Sequence, residues 1–284
     1  MPTYTTPTPI DLAINVQVGA IEVVAGDRTD TVVTVSPTSP TKDGDRRTAE
    51  ETKVEFDGQR LTITGPRVYL AWIGPGSKSS SIDVKVELPT GSRLAAELSY
   101  GGVRTSGRLG ATRIKAAGGS ADIDTTGDLW LRAGHGAATV AAVEGSLEIT
   151  ADHGQIRIGT VTGDAILKAS HGSVQVGESG GDLEAKLSYG DLEITKALAS
   201  VTAKTAYGNI RLDEVSSGSI EVDSGYGQAT IGVRPGVPAW LDLSSKNGRV
   251  RNELDGDSAP AGSEQTVAVR ARTQFGDITV NRAR

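Results

Sequence analysis

Cysteine is absent from all 284 residues. That excludes disulfides, thiolate metal sites and a thiol nucleophile together. Aromatics are scarce, at 4%, and apolar residues reach only 37%. A globule of this length with a thick core needs more large apolar side chains than that. No run of about 18 uninterrupted apolar residues occurs, so nothing reads as an integral membrane segment. The opening MPTYTTPTPIDLAINV has no basic stretch followed by an apolar one, so it does not read as a secretory leader. Excess positive charge is missing too. The net charge is −6 and the pI about 5.2, which argues against nucleic acid or an anionic membrane as a bulk partner. The composition reads as that of a soluble cytoplasmic protein.

Glycine is abundant, at 36 residues, and it recurs in phase. Tyr, His or Gly followed by Gly marks Tyr100-Gly101, Gly118-Gly119, His135-Gly136, His153-Gly154, His171-Gly172, Tyr189-Gly190, Tyr207-Gly208 and Tyr226-Gly227. The intervals are 18, 17, 18, 18, 18, 18 and 19 residues. A second mark precedes the first by eight residues, as in Gly127-Asp128, Gly163-Asp164 and Gly181-Asp182. Two landmarks locked in phase define a repeat of one structural unit.

Between the marks, apolar and polar residues alternate, as in a strand with one buried face. In residues 145–162, Leu147, Ile149, Ile156 and Ile158 point inward. Glu148, Thr150, Gln155 and Arg157 point outward. The inward columns persist from repeat to repeat: Leu129, Leu147, Ala165, Leu183, Val201 and Ile220 form one of them. An antiparallel meander also alternates, but it does not return like residues to like positions after one short repeat. Two strands of about five residues with tight corners use up the repeat, so the coil wraps on itself. The expected fold is all-β, a right-handed parallel β-helix with coils of about 18 residues and an N-terminal β-rich insertion. The hand follows from the chirality of parallel crossovers.

The chain divides accordingly. Residues 1–23 form a first coil. Residues 24–90 are a β-rich insertion or N-terminal cap, with strands expected at Thr31–Val35, Lys53–Phe56, Leu61–Thr64 and Ser81–Leu88. Residues 91–236 are regular coils. Residues 237–284 are further coils interrupted by a polar loop at 253–265. On this reading the coil 267–280 ends the stack, and Asp277–Val280 is its exposed edge.

The pattern G-[DS]-L-x-I-x-A-x-[HY]-G-x-I-x-V, the lead-in SIDVKVELPTGSRL and the ending TVAVRARTQFGDITVNR resemble a β-strand-repeat family of unknown function. That family is labelled "putative adhesin" and is common in actinobacteria and firmicutes. The resemblance covers nearly the whole chain. It implies the repeat fold, and it carries no catalytic residues over to this sequence.

Four features invite a chemical reading. His135, His153 and His171 occupy one position in successive coils, continued by Tyr189, Tyr207 and Tyr226. Imidazoles suit zinc, copper or nickel. A row of parallel rings does not converge tetrahedrally, however, so the column reads as a structural corner ladder with no metal. Lys115, Arg132, Lys168, Lys186 and Lys204 form an outward, mostly basic column. It reads either as a stripe for a polyanion or as a solvated face, with Glu148, Glu184 and Glu221 beside it. Residues 65–76, GPRVYLAWIGPG, hold six apolar residues in a row. Tyr69 and Trp72 there read as partner anchors, or the segment reads as a lid over the end of the coils. Finally, a solenoid glycosidase needs two carboxylates flanking a cleft. The outward acids here are scattered, and no nucleophile elbow or phosphate loop occurs.

These readings converge on a non-catalytic scaffold or interaction protein without a cofactor, binding an unknown protein partner or associating with itself. The alternative is an envelope-associated adhesin-like binder. A DNA mimic or a carbohydrate-active enzyme stands further off.

Overall fold

The computed structural model describes residues 2–66, 80–254 and 266–283. The chain forms two compact units, Met1–Val140 and Ala141–Arg284. Both are parallel β-helical.

The first unit contains β1 (Thr3–Thr5), β2 (Asp11–Gly26), β3 (Asp30–Pro37), α1 (Asp43–Glu51), β4 (Lys53–Phe56), β5 (Arg60–Thr64), β6 (Ile82–Pro89), β7 (Arg93–Ser106), β8 (Thr112–Gly118), β9 (Ala121–Thr126) and β10 (Leu129–His135). β11 (Ala138–Val143) lies across the unit boundary. β2 is a whole coil, bent at Gly19, and it pairs in parallel with β7 from Asp11↔Arg93 to Val24↔Ser106. On its other side β2 pairs in parallel with β5 and β6. Residues 60–64 and 82–89 therefore build a rung outside β2, out of chain order. β3 and β4 then pair antiparallel with β6 and β5. The antiparallel strands block further parallel stacking on an edge that would otherwise template it. The inward column Leu61, Leu12, Leu94, Thr112, Leu129 is buried throughout.

The helix α1 is a departure from the all-strand reading of 24–90. Nothing apolar and periodic marks it, because Ala49 is the one apolar side chain among its nine residues, DGDRRTAEE. It is held by one side chain. Asp45 is 2% exposed. Its carboxylate accepts from the Ser81 backbone N–H at 3.0 Å and the Ser39 backbone N–H at 3.2 Å, and it meets Lys42 Nζ at 3.1 Å. The Ser81 amide foremost, then Lys42 and Ser39, hold this carboxyl below its ordinary value of 3.8, against an opposing desolvation. A carboxyl lowered in the fold stabilises it above the unfolded pKa, and that contribution disappears as pH falls through the folded value. Asp45→Asn is therefore expected to lower the melting temperature at neutral pH. The gap to the unmodified chain should close below about pH 4. Thermal melts across that range check it; a gap independent of pH refutes the ionic origin.

The second unit contains β12 (Leu147–His153), β13 (Ile156–Val161), β14 (Ala165–His171), β15 (Val174–Ser179), β16 (Leu183–Tyr189), β17 (Leu192–Ala197), β18 (Val201–Tyr207), β19 (Ile210–Val215), β20 (Gly218–Tyr226), β21 (Ala229–Val233), β22 (Ala239–Asn247), β23 (Val250–Asn252), β24 (Val267–Phe275) and β25 (Ile278–Arg282). β12, β14, β16, β18 and β20 pair in parallel in that order, and β13, β15, β17, β19 and β21 form the matching series. The inward residues stack as the alternation predicts: Ile149, Leu167, Ala185, Ala203 and Val222 are all at most 0% exposed. The Gly-Asp mark has its own cause. The Asp164 carboxylate accepts the Asp182 backbone N–H at 3.0 Å, and the Asp182 carboxylate accepts the Ser200 N–H at 3.1 Å. Each acid satisfies a corner amide one rung on, an arrangement that recurs only if the spacing is kept.

At the far end the rung order leaves chain order again. β24 pairs with β20 on one side and β22 on the other, and β25 lies between β21 and β23. The edge expected at Asp277–Val280 is thus enclosed; Ile278 and Val280 are both 0% exposed. Among the described residues the outermost rung is β22 with β23. The reason lies in composition. β24 places Val267, Val269 and Ala271 inward, which suits neighbours on both sides. β22 carries Trp240, Asp242, Ser244 and Lys246 outward, and its inward Leu241 and Leu243 are only half-buried. No helix among the described residues is long and apolar enough to cross a membrane.

Candidate functional site

Every coil of the second unit turns at a corner built from a flat side chain followed by Gly. Successive rungs lie about 4.8 Å apart, close to the separation of stacked rings. His153, His171, Tyr189, Tyr207, Tyr226 and Phe275 stack with centroids 4.7–5.0 Å apart and planes within 3–6° of parallel. Phe275 closes the ladder because β24 follows β20 in the stack, a placement that chain order conceals. The rings are about half-exposed: Tyr189 49%, Tyr207 46%, Tyr226 46%, Phe275 43%. Each internal ring has both faces against its neighbours, so the ladder shows solvent its edges and its phenol groups. Parallel imidazoles at 4.7 Å do not point two nitrogens at one centre. His135 belongs to the first unit, in register with Gly118. Among the described residues no group of three His, Asp or Glu is placed to hold a metal ion.

The basic column is divided between the units. Lys115 and Arg132 are neighbours in the first, with Glu97 beside Lys115. In the second, Thr150, Lys168, Lys186, Lys204, Asp223, Arg272 and Ser244 follow one another in register. Several of these cations have acidic neighbours: Lys168 with Glu148 at 3.9 Å, Lys186 with Glu184, Lys204 with Asp223 at 3.4 Å, and Arg272 with Asp242 at 3.6 Å. The Lys186 hydrogen bond holds the Glu184 carboxyl below the ordinary glutamate range, with Lys168 and Lys204 adding to the pull.

Between the cations and the ring ladder lies an open groove of about 720 Å³. Lys186, Lys204 and Arg272 contribute to its lining on one side, and Tyr207 and Tyr226 on the other; Gln274 and Lys246 rise from the column between them. Ala206 and Gly225 line it between them. The residue just before the floor in each strand is a small hydroxyl in several rungs. Ser224 Oγ donates to the Gly208 carbonyl at 3.4 Å and Thr273 Oγ1 to the Gly227 carbonyl at 3.3 Å. Thr205, 6% exposed, lacks such a bond. The basic column and the ladder were both legible in the sequence. The groove was not, because Arg272, Gln274 and Lys246 join it only through the altered rung order. Tyr69 and Trp72 fall at 67–79, outside the described residues.

No curated protein matches the chain. Among solved structures, one from Clostridium sporogenes, titled a "putative cell adhesion protein", aligns over 99% of this chain and 98% of that one. The identity is 12% and the TM-score 0.22. The family model for Toastrack DUF4097 matches residues 11–281, which span every coil of both units. The chain belongs to the Toastrack DUF4097 family, the β-repeat family whose coil pattern its own repeats follow.

Proposed function

We propose that this chain is a non-catalytic β-helical interaction module that associates with a second copy of itself through the rung β22–β23. The observation that carries the reading is the state of that rung. Its inward Leu241 and Leu243 are half-buried where the equivalent residues of β24 are at most 2% exposed, Val250 is 45% exposed, and Trp240 is 83% exposed. Among the described residues β22 pairs on one side only, so its other side offers backbone donors and acceptors to a further strand. Two copies related by a twofold axis pair β22 antiparallel with itself. Centred on Leu243, that pairing sets Asp242 opposite Ser244 and Trp240 opposite Lys246. No like charges meet, and an indole faces an ammonium, a favourable contact.

Analytical ultracentrifugation over a wide concentration range is expected to show a monomer–dimer equilibrium. Ser244→Asp adds two Asp–Asp contacts across the dimer while standing beside Arg272 within its own chain, so it should weaken association and leave the melting temperature unchanged. A monomer at every concentration, or a Ser244→Asp variant that dimerises as before, overturns the reading.

A further inference from the structure

We infer that the groove between the basic column and the ring ladder of the second unit binds a linear anionic polysaccharide, laid along the stacking direction of the coils. The groove takes Ser244 and Lys246 from β22, the strand whose outer edge the pairing uses, so binding is measured on the dilute monomer, where the two readings fail independently.

The charge of the ligand follows from three features that agree. Lys186, Lys204, Lys246 and Arg272 line the groove, and Glu184, Asp223 and Asp242 pair with three of them, which leaves cations in excess by one. Lys246 makes no ion pair with any described residue, so its charge is available without breaking a contact. The ladder contributes in the same sense. An aromatic ring is negative on its faces and positive at its edge, and stacking leaves only edges and phenol O–H donors toward the groove. An anion thus meets ammonium groups on one wall and hydroxyl donors with positive ring edges on the other.

The same stacking argues against a single-stranded nucleic acid. Base recognition on such platforms uses exposed ring faces, and the faces of Tyr207 and Tyr226 are taken by neighbours at 4.7–4.9 Å. What the groove offers in their place is a set of hydrogen-bonding groups suited to a polyol. Tyr207, Tyr226, Ser244 and Gln274 line it.

The linear shape follows from the repeat. Each wall gains one side chain per rung, about 4.8 Å further along. The floor column runs Ala206, Gly225, Gln274, Lys246, open at the first two rungs and bearing two long polar side chains that can reach a ligand at the next two. At Gly225 even a Cβ would lie 2.6 Å from the Ala206 carbonyl oxygen. A chain with a short repeat and an acid on its sugars satisfies walls that repeat; a compact anion fills one step and leaves the others unused.

The test is calorimetric titration of the full chain, kept dilute, with oligogalacturonate, and in parallel with dextran, polyglutamate and single-stranded DNA. Oligogalacturonate is expected to bind saturably, and each of the other three more weakly by at least an order of magnitude. Lys204→Ala with Lys246→Ala should lower that affinity roughly tenfold or more, as the loss of charge-assisted hydrogen bonds predicts. Ala206→Phe fills the floor without changing charge and should lower it as well. All three positions are exposed, so melting temperatures should not move. No saturable binding, equal binding of polyglutamate or DNA, or an Ala206→Phe variant of unchanged affinity overturns the proposal.

Discussion

Ile149→Asp is expected to unfold the second unit at temperatures where Thr150→Asp, one residue further along β12, leaves it intact. Ile149 is 0% exposed and sits in register with Leu167, at the head of an inward column that continues through Ala185, Ala203 and Val222. Removing its side chain from the core forfeits about 1.5–3 kcal/mol of burial. Placing a carboxylate there costs several kcal/mol more, because the column offers no donor. A rung depends on its neighbours, so the loss spreads along the stack. Thr150 faces outward in register with Lys168. An aspartate there gains a cation and should change stability by less than about 0.5 kcal/mol. Thermal melts of both variants decide the matter, and equal melting temperatures would falsify the assignment of faces.

A comparable loss is expected for Gly190→Ala, with Gly236→Ala as its measure. Gly190 adopts φ +142°, and a Cβ there would stand 2.1 Å from the Gly172 carbonyl oxygen and 2.7 Å from its carbon. Both atoms are backbone of the adjacent rung, so relief requires the rungs to part. Gly236 also has positive φ, +80°, but nothing lies within 4 Å of its Cβ position. Its substitution carries only the conformational strain, roughly 1–3 kcal/mol. If the corner glycines exist to let rungs approach, Gly190→Ala is much the more damaging of the two. If both variants melt alike, backbone conformation alone explains the repeated glycine, and rung contact adds nothing.

These two tests rest on features legible in the sequence. Alternation in stretches such as Leu147 to Ile149 reports which face is buried, and the Tyr-Gly and His-Gly marks report where the chain turns. Neither reports which rung lies next to which. In a parallel stack every inward position accepts a small or branched apolar residue, so β24 fits equally against β20 or beyond β22 as far as pattern goes. What decides is burial on both sides, and that depends on the contrast between Val267, Val269 and Ala271 and the more polar β22. The same limit hid the rung formed by β5 and β6 outside β2. The helix α1 escaped for another reason: it is held by Asp45 and by neighbouring backbone amides, and such a tie leaves no apolar period to read. The candidate site was half visible. Lys186, Lys204, Tyr207 and Tyr226 stood out as columns, while Lys246, Arg272 and Gln274 became their neighbours only once the order of the rungs was known.

The placing of β24 also has a consequence in time. Leu183 pairs with Val201, a single repeat later in the chain, whereas Ile220 pairs with Val269. A ribosome delivers β22 before β24, yet the native hydrogen bonds of β22 are made with β24. The seat beside β20 is therefore vacant when β22 first emerges, and β22 matches it residue for residue, since both align with β24 in one register. Reaching the final order means that β24 either claims that seat first or evicts an early occupant. This end of the molecule accordingly closes late, through contacts distant in sequence, which are the slow kind to form.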